Sequence, residues 1–354
     1  MDTIASHRSV ASWLGVLLFL VVALNTMGGW VRLSGSGVAI PHWPVIDGSL
    51  LPPITEARWQ RMYEIYRQDQ TRLRGEVAAG RLTEHNRGRQ PADLAEFRGM
   101  FMIEWSHRLL AALVGVVGLG CLITVLRRAP SRSRIGALMV AAAAISVFQA
   151  VLGGLLVRVG TGHHWLFLHQ ANAALVVGLI LWSILRLLDQ GESARRPGRL
   201  LGVSVVAVFL QITMGGLLAG SREGADMPVS WPGLIDTGWD TGQPLVANLL
   251  NNAMLHRWLH HLGAGVVTVL IIAALADWRR AGPRQRLGLQ LAVTFLAVQM
   301  LFGLGNVALG VDARLALAHL VIGHSLFLSL LLAWYDARNE AVAGVSTVQV
   351  RSLA

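Results

Sequence analysis

Glu104-Trp105-Ser106-His107-Arg108 opens an apolar run, Leu109 to Val125, that is long and uninterrupted enough to cross a bilayer. Its reading decides the fold. Glu104 and His107 stand three residues apart, so a helix presents both on one face. Ionisable side chains are costly in hydrocarbon, which makes the pair a functional candidate. A single such histidine reads more readily as an interfacial residue. Three further apolar runs, however, carry a histidine at the same depth.

The chain around this stretch has 354 residues, of which 54% are hydrophobic and only 14% charged. That composition belongs to a polytopic membrane protein and not to a soluble domain. Eight candidate spans lie at about 12–31, 103–126, 135–157, 165–188, 199–219, 255–277, 287–309 and 315–335. The first lacks a small-residue cleavage site after a short core and reads as a retained helix. The fold class is therefore all-α.

The net charge of +10 does not point to nucleic acid. Much of the basic charge sits in short loops after the second, fourth and sixth runs: Arg127, Arg128, Arg132 and Arg134; Arg186, Arg195, Arg196 and Arg199; Arg279, Arg280, Arg284 and Arg286. Short Arg-rich loops stay in the cytoplasm. Both termini are then expected in the cytoplasm, the large loops outside, and every even run begins at the outer face. The one cysteine, Cys121, excludes an intrachain disulfide and a thiolate metal site.

Every odd run closes on an amide followed by a pair of glycines. The pairs are Asn25 with Gly28-Gly29, Gln149 with Gly153-Gly154, Gln211 with Gly215-Gly216, and Gln299 with Gly303 and Gly305. Small residues let helices approach closely or leave room for a flat ligand. The phrase is an internal repeat with a larger period of half the chain. Gly37 to Pro44 after the first run resembles Gly224 to Pro232 after the fifth. Two repeated four-helix bundles follow, 1–190 with a large outer loop at 33–98, and 191–354. Within that loop Trp59, Met62, Tyr63 and Tyr66 recur at helical spacing, with Thr55 as N-cap. This predicts an amphipathic helix on the outer face that either caps a site or rests on lipid headgroups. The segment 72–91 reads as polar and mobile, and the tail after Tyr335 as solvated chain.

His107 and His169 sit near the outer starts of the second and fourth runs. Aligning the halves pairs them with His260 and His319, each pair being about 60 residues apart. His256, one turn before His260, is an alternative. His261 points elsewhere on its helix, His324 lies five residues past His319, His163 and His164 read as surface residues, and His42, His85 and His7 lie in loops or at the terminus. Two imidazoles facing each other across a bundle suit the axial positions of haem iron, and one pair per half gives two haem sites. Zinc is disfavoured, with two convergent histidines per half. Glu104 has no carboxylate counterpart; Arg257 stands there. A carboxylate beside a reacting centre can accept protons or stabilise positive charge. An arginine suits a haem propionate. Chemistry is thus expected in the N-terminal half, at Glu104, and a stable electron-transferring haem in the C-terminal half, held with the help of Arg257.

Gly28 to Gly37, the Pro41-His42-Trp43-Pro44 loop, Glu96-Phe97-Arg98 leading into Glu104 to Arg108, His169-Gln170, the His260 region and His319 together resemble the haem A synthase family over nearly the whole chain. The family's His-Arg and His-Gln pairs are His260-His261 and His319-Leu320 here, so the choice between His256 and His260 stays open. The chain lacks the outer-loop cysteine pairs of some members and is similar to the mitochondrial and proteobacterial branch. The resemblance implies oxidation of a ring methyl of haem O to a formyl group, giving haem A for cytochrome oxidase, with water as oxygen source. It implies haem O between His107 and His169, haem b between His260 and His319, and Glu104 as the acidic residue beside the first ligand. It also implies an inner-membrane location. Haem O synthase, cytochrome oxidase assembly factors and an unidentified electron acceptor are the implied partners besides lipid, and a homo-oligomer is compatible with it. A bis-histidine electron carrier of the cytochrome b type and a proton-coupled transporter are the competing functions.

Overall fold

The computed structural model describes residues 2–42, 45–46, 48–82, 89–128, 133–159, 163–188, 198–221 and 238–351. The Gly224 to Pro232 loop, Trp43-Pro44, His85, and Arg132, Arg195 and Arg196 of the basic loops lie outside the described residues.

Ten α-helices are described: α1 (Asp2–Leu33), α2 (Glu56–Ala78), α3 (Leu94–Arg128), α4 (Ser133–Val159), α5 (His163–Leu188), α6 (Arg199–Ser221), α7 (Leu245–Asn251), α8 (Ala253–Ala274), α9 (Pro283–Ala308) and α10 (Ala313–Arg351). All but α2 and α7 are long and apolar enough to cross a membrane, which makes eight spans. Among the described residues the non-helical backbone pairing is a single bridge, Ile46 with Ser49. A hydrocarbon core leaves backbone polar groups no partner but their own helix, hence the all-helical architecture. The lipid-facing sides are as apolar as the buried ones. On α3 the exposed stripe is Leu109, Leu113, Val116, Leu119 and Ile123.

Several boundaries are set by caps. Asp93 accepts from the Glu96 N–H at 2.8 Å, and Glu96 reaches back to the Ala92 N–H. That cap starts α3 well before the apolar run begins. Asn252 caps α8 through the Leu255 N–H, and Asp312 caps α10 through Arg314 and Leu315. Pro283 opens α9 at its first turn. The beginning of the 72–91 segment and the tail after Tyr335 are helical. Helix α2 runs on to Ala78, and α10 continues past Tyr335 to Arg351.

Helices α1, α3, α4 and α5 pack around one another as one ring, and α6, α8, α9 and α10 as another. The rings meet where α1 touches α10 and α5 touches α6 and α10. Each ring has its own apolar core. The first includes Leu14, Leu17, Val125, Met139 and Ile180; the second includes Val208, Ile271, Leu289, Phe327 and Leu330. A third cluster forms outside the first ring. There Met62 and Tyr66 of α2 pack on Phe97, Met100 and Phe101 of α3, with Ala39, Ile40 and Ile46 of the loop after α1. The helical stripe predicted for α2 therefore faces protein. Thr55 caps it as expected, accepting from the Arg58 N–H at 3.4 Å.

Candidate functional site

Each glycine pair meets a histidine. A Cβ built on Gly28 of α1 would stand 3.1 Å from Cε1 of His107 on α3. On Gly153 of α4 it would stand 3.7 Å from Cε1 of His169 on α5. On Gly215 of α6 it would stand 3.3 Å from His260 on α8, and on Gly303 of α9 3.1 Å from His319 on α10. Four odd-numbered spans thus offer a flat backbone patch to four imidazoles on the even-numbered spans that follow. The glycines of the repeated phrase and the four aligned histidines are one device.

The amides of the same phrase hold the histidine turns. Gln149 Nε2 donates to the carbonyl of His169 at 3.0 Å, and Gln211 Nε2 to the carbonyl of His260 at 2.8 Å. Gln299 is tied to His319 twice. Its carbonyl lies 3.1 Å from His319 Nδ1, and its Nε2 lies 3.1 Å from His319 Nε2. A main-chain carbonyl only accepts, so Nδ1 of His319 carries the proton, and the Nε2 lone pair, the one a metal ligand would use, accepts from the Gln299 amide. Asn25 departs from the pattern and reaches His324 instead.

His260 and His319 face each other with ring centroids 6.4 Å apart. Two imidazoles bound on opposite sides of one metal ion, each nitrogen about 2 Å from it, place their centroids about 6 Å apart. His256 is turned away: its Nε2 lies 2.7 Å from the carbonyl of Leu249, which ties α8 to α7. In His107 and His169, Nδ1 of both rings lacks a hydrogen-bond partner. Buried polar atoms left so are rare and call for an occupant. Arg257 is buried three residues before His260. Among the described residues no three His, Cys, Asp or Glu side chains converge as a metal cluster.

Glu104 is 3% exposed, and both its oxygens are engaged. Oε2 accepts from the Ile40 N–H at 2.9 Å, and Oε1 from Arg108 Nη2 at 2.5 Å. Arg108 in turn donates to the carbonyls of Ile40 and His42, both at 2.6 Å. One i,i+4 ion pair therefore grips the loop after α1 by its N–H and by its carbonyls. A buried carboxylate without such partners would carry a large desolvation cost. The role of Arg108 was missed in the sequence, although Glu followed by Arg at i+4 is itself the signal. The loop it grips turns at Gly35, whose φ is +71° and whose Cβ would fall 2.8 Å from Arg89 Cβ. Only glycine fits there.

The outer loop closes over this end of the first ring. Tyr66, fully buried, donates to the carbonyl of Arg89. Arg98 pairs with Glu56 and lies over the ring of Trp59. At the far end of α2, Arg72 Nη2 donates to the carbonyl of Arg158 at 3.2 Å, so α2 bridges α3 and the outer end of α4. Of the histidines read as peripheral, His164 lies 2.9 Å from the carbonyl of Leu250, a link between α5 and α7.

The model of the cytochrome oxidase assembly protein family (COX15-CtaA) matches residues 11–331. The chain belongs to that family. Relatives are similar along almost the whole length. The haem A synthase of Paracoccus denitrificans is 31% identical over 362 residues, covering 94% of this chain and 90% of the relative. That of Rhizorhabdus wittichii is 30% identical over 352 residues, covering 95% and 96%. That of Novosphingobium aromaticivorans is 29% identical over 345 residues, covering 91% and 93%. The eight spans describe a multi-pass membrane protein.

Proposed function

We propose that the chain is a haem A synthase, a membrane oxidoreductase that converts the ring methyl of haem O to a formyl group and so makes haem A for cytochrome oxidase. The observation that carries this is the fourfold glycine–imidazole contact, which sets two pairs of histidines in two helix rings, in a chain whose full-length relatives are haem A synthases.

His260 and His319 are the ligands of a resident haem b; their spacing and the tautomer of His319 support this. A haem held by two imidazoles supplies reversible one-electron chemistry. Arg257 is placed to meet a propionate. His107 and His169 hold the substrate haem O, with Gly28 giving the His107 ring room. The two rings of helices are the two halves, 1–190 and 191–354, of a duplicated bundle.

Turning a methyl group and water into a formyl group releases equal numbers of electrons and protons. Glu104 is the buried carboxylate at the substrate end, one turn from His107. Held by Arg108 and the Ile40 N–H, it is a fixed negative charge that steadies positive charge building on the reacting carbon and takes part in proton release. The loop after α1 and helix α2 keep bulk water from that end. A haem held by His260 and His319 would supply one-electron transfer towards an acceptor outside the chain. The protein sits in the inner membrane with both termini in the cytoplasm, as the arginines at 279, 280, 284 and 286 support. Chromatography of the haems extracted from purified protein, made in cells that also make haem O, tests the reading. Haem A beside haem b is expected; haem b alone would point to an electron carrier.

A further inference from the structure

His324 is a buried ionisable group, 3% exposed, to which the proposed reaction gives no task. It lies on α10, five residues beyond His319. Its Nδ1 is 2.9 Å from the carbonyl of Leu320, which can only accept, so Nδ1 carries the proton. Its Nε2 is 3.0 Å from Asn25 Nδ2 and 3.0 Å from Gln170 Nε2, and amide nitrogens only donate. The neutral ring satisfies all three contacts, with its one lone pair shared between two amides.

The two donors come from the other ring of helices. Asn25 is on α1, one turn before Gly28, the glycine that lies against His107. Gln170 is on α5, directly after His169. The packing around this link is close and matched on both sides. A Cβ on Gly216 of α6 would stand 3.0 Å from Gln170 Cβ, and one on Gly29 of α1 would stand 3.2 Å from Leu320 Cδ1. In these two pairs the second glycine lets the two rings close on each other, as the first lies against the histidine.

We propose that His324 is a positioning residue for the His107/His169 site, acting from the opposite ring. By holding Asn25 and Gln170 it fixes the turn of α1 that backs His107 and the turn of α5 that carries His169. The inference rests on the reading that this pair holds the substrate haem. It makes a prediction that sequence position alone would not: losing His324 disturbs the distant site and not the haem b whose ligand, His319, shares its helix.

The test uses full-length protein purified from cells that make haem O, as wild type and as His324→Leu, His324→Gln, Asn25→Leu and Gln170→Leu. Three quantities are read: haem b per polypeptide with its midpoint potential, haem O plus haem A retained per haem b, and the ratio of haem A to haem O. His324→Leu should keep haem b and its potential while retaining on the order of ten-fold less haem O and haem A, the scale expected for buried amides left unpaired. His324→Gln, which restores an acceptor, should recover most of that loss. Gln170→Leu should reproduce it, and the Gln170→Leu/His324→Leu double variant should be no worse than either alone. If His324→Leu does not accumulate, Asn25→Leu and Gln170→Leu decide, since both leave the histidine in place. Loss of haem b with haem O and haem A retained, additive effects in the double variant, or wild-type behaviour in Gln170→Leu would overturn the proposal. Wild type carrying haem b alone would instead overturn the reading beneath it.

Discussion

Glu104 and the glycines of the repeat carry the sharpest expectations at the scale of single residues. The carboxylate has two separable tasks, a fixed charge near the substrate and an anchor for the loop at Ile40. Glu104→Gln keeps an acceptor for the Ile40 N–H but removes the charge. If the charge takes part in the chemistry, Glu104→Gln and Glu104→Ala should both retain haem O while haem A formation falls on the order of 100- to 10,000-fold, with Glu104→Asp impaired less. Haem A at wild-type yield from Glu104→Gln would leave Glu104 as an anchor only. The glycines give a graded comparison. Gly303→Ala brings a methyl to 3.1 Å from the His319 ring, closer than such contacts normally allow, and should lower haem b content or shift its spectrum. Gly153→Ala brings one to an ordinary 3.7 Å from His169 and should leave bound haem unchanged. Equal effects from the two would separate the glycines from the histidines. The four histidines and the Gly-Gly phrase were each legible in the sequence because each recurs. Their contact with one another was not, since it joins neighbouring spans and no periodicity within one span reports it. Arg108 escaped notice because its partners, the carbonyls of Ile40 and His42, are backbone atoms of a loop.

Helix α2 is the element whose environment the sequence left open. Its stripe was readable from the spacing of Trp59, Met62, Tyr63 and Tyr66, but an amphipathic stripe suits protein and lipid equally. The deciding surface is the first turns of α3, where Phe97, Met100 and Phe101 project above the apolar run. The start of α3 was placed too late because hydropathy marks the hydrocarbon and not the helix; the cap at Asp93 and Glu96 was the better signal. As Tyr66 fills the centre of the α2–α3 contact, Tyr66→Ala should weaken the docking of α2 by about 3–5 kcal/mol, the usual cost of truncating a large buried ring. Protease added to the outer face should then cut the 33–98 loop faster than in wild type, while haem b at the other ring stays bound. Unchanged cleavage would show that α2 does not depend on this contact.

The molecule as a whole is two helix rings joined through α1, α5, α6 and α10, with four imidazoles each set against a glycine of a neighbouring span. The number of spans was legible from hydropathy, a consequence of what a bilayer excludes, and the placement of arginine sets the expected side of the membrane. The orientation can be checked directly because Cys121, buried between α3 and α1, is the sole cysteine. In a Cys121→Ser background, Ser49→Cys should react with an impermeant maleimide added outside, and Arg280→Cys only after the membrane is opened. The reverse order would invert the topology and put the histidine sites at the cytoplasmic face. The most direct test of the whole reading is the identity of the haems bound to the purified wild-type protein when haem O is supplied. Chromatography of the acid-acetone extract should show haem b together with haem A and residual haem O. Haem b alone, with no formyl haem at any level of haem O supply, would contradict it.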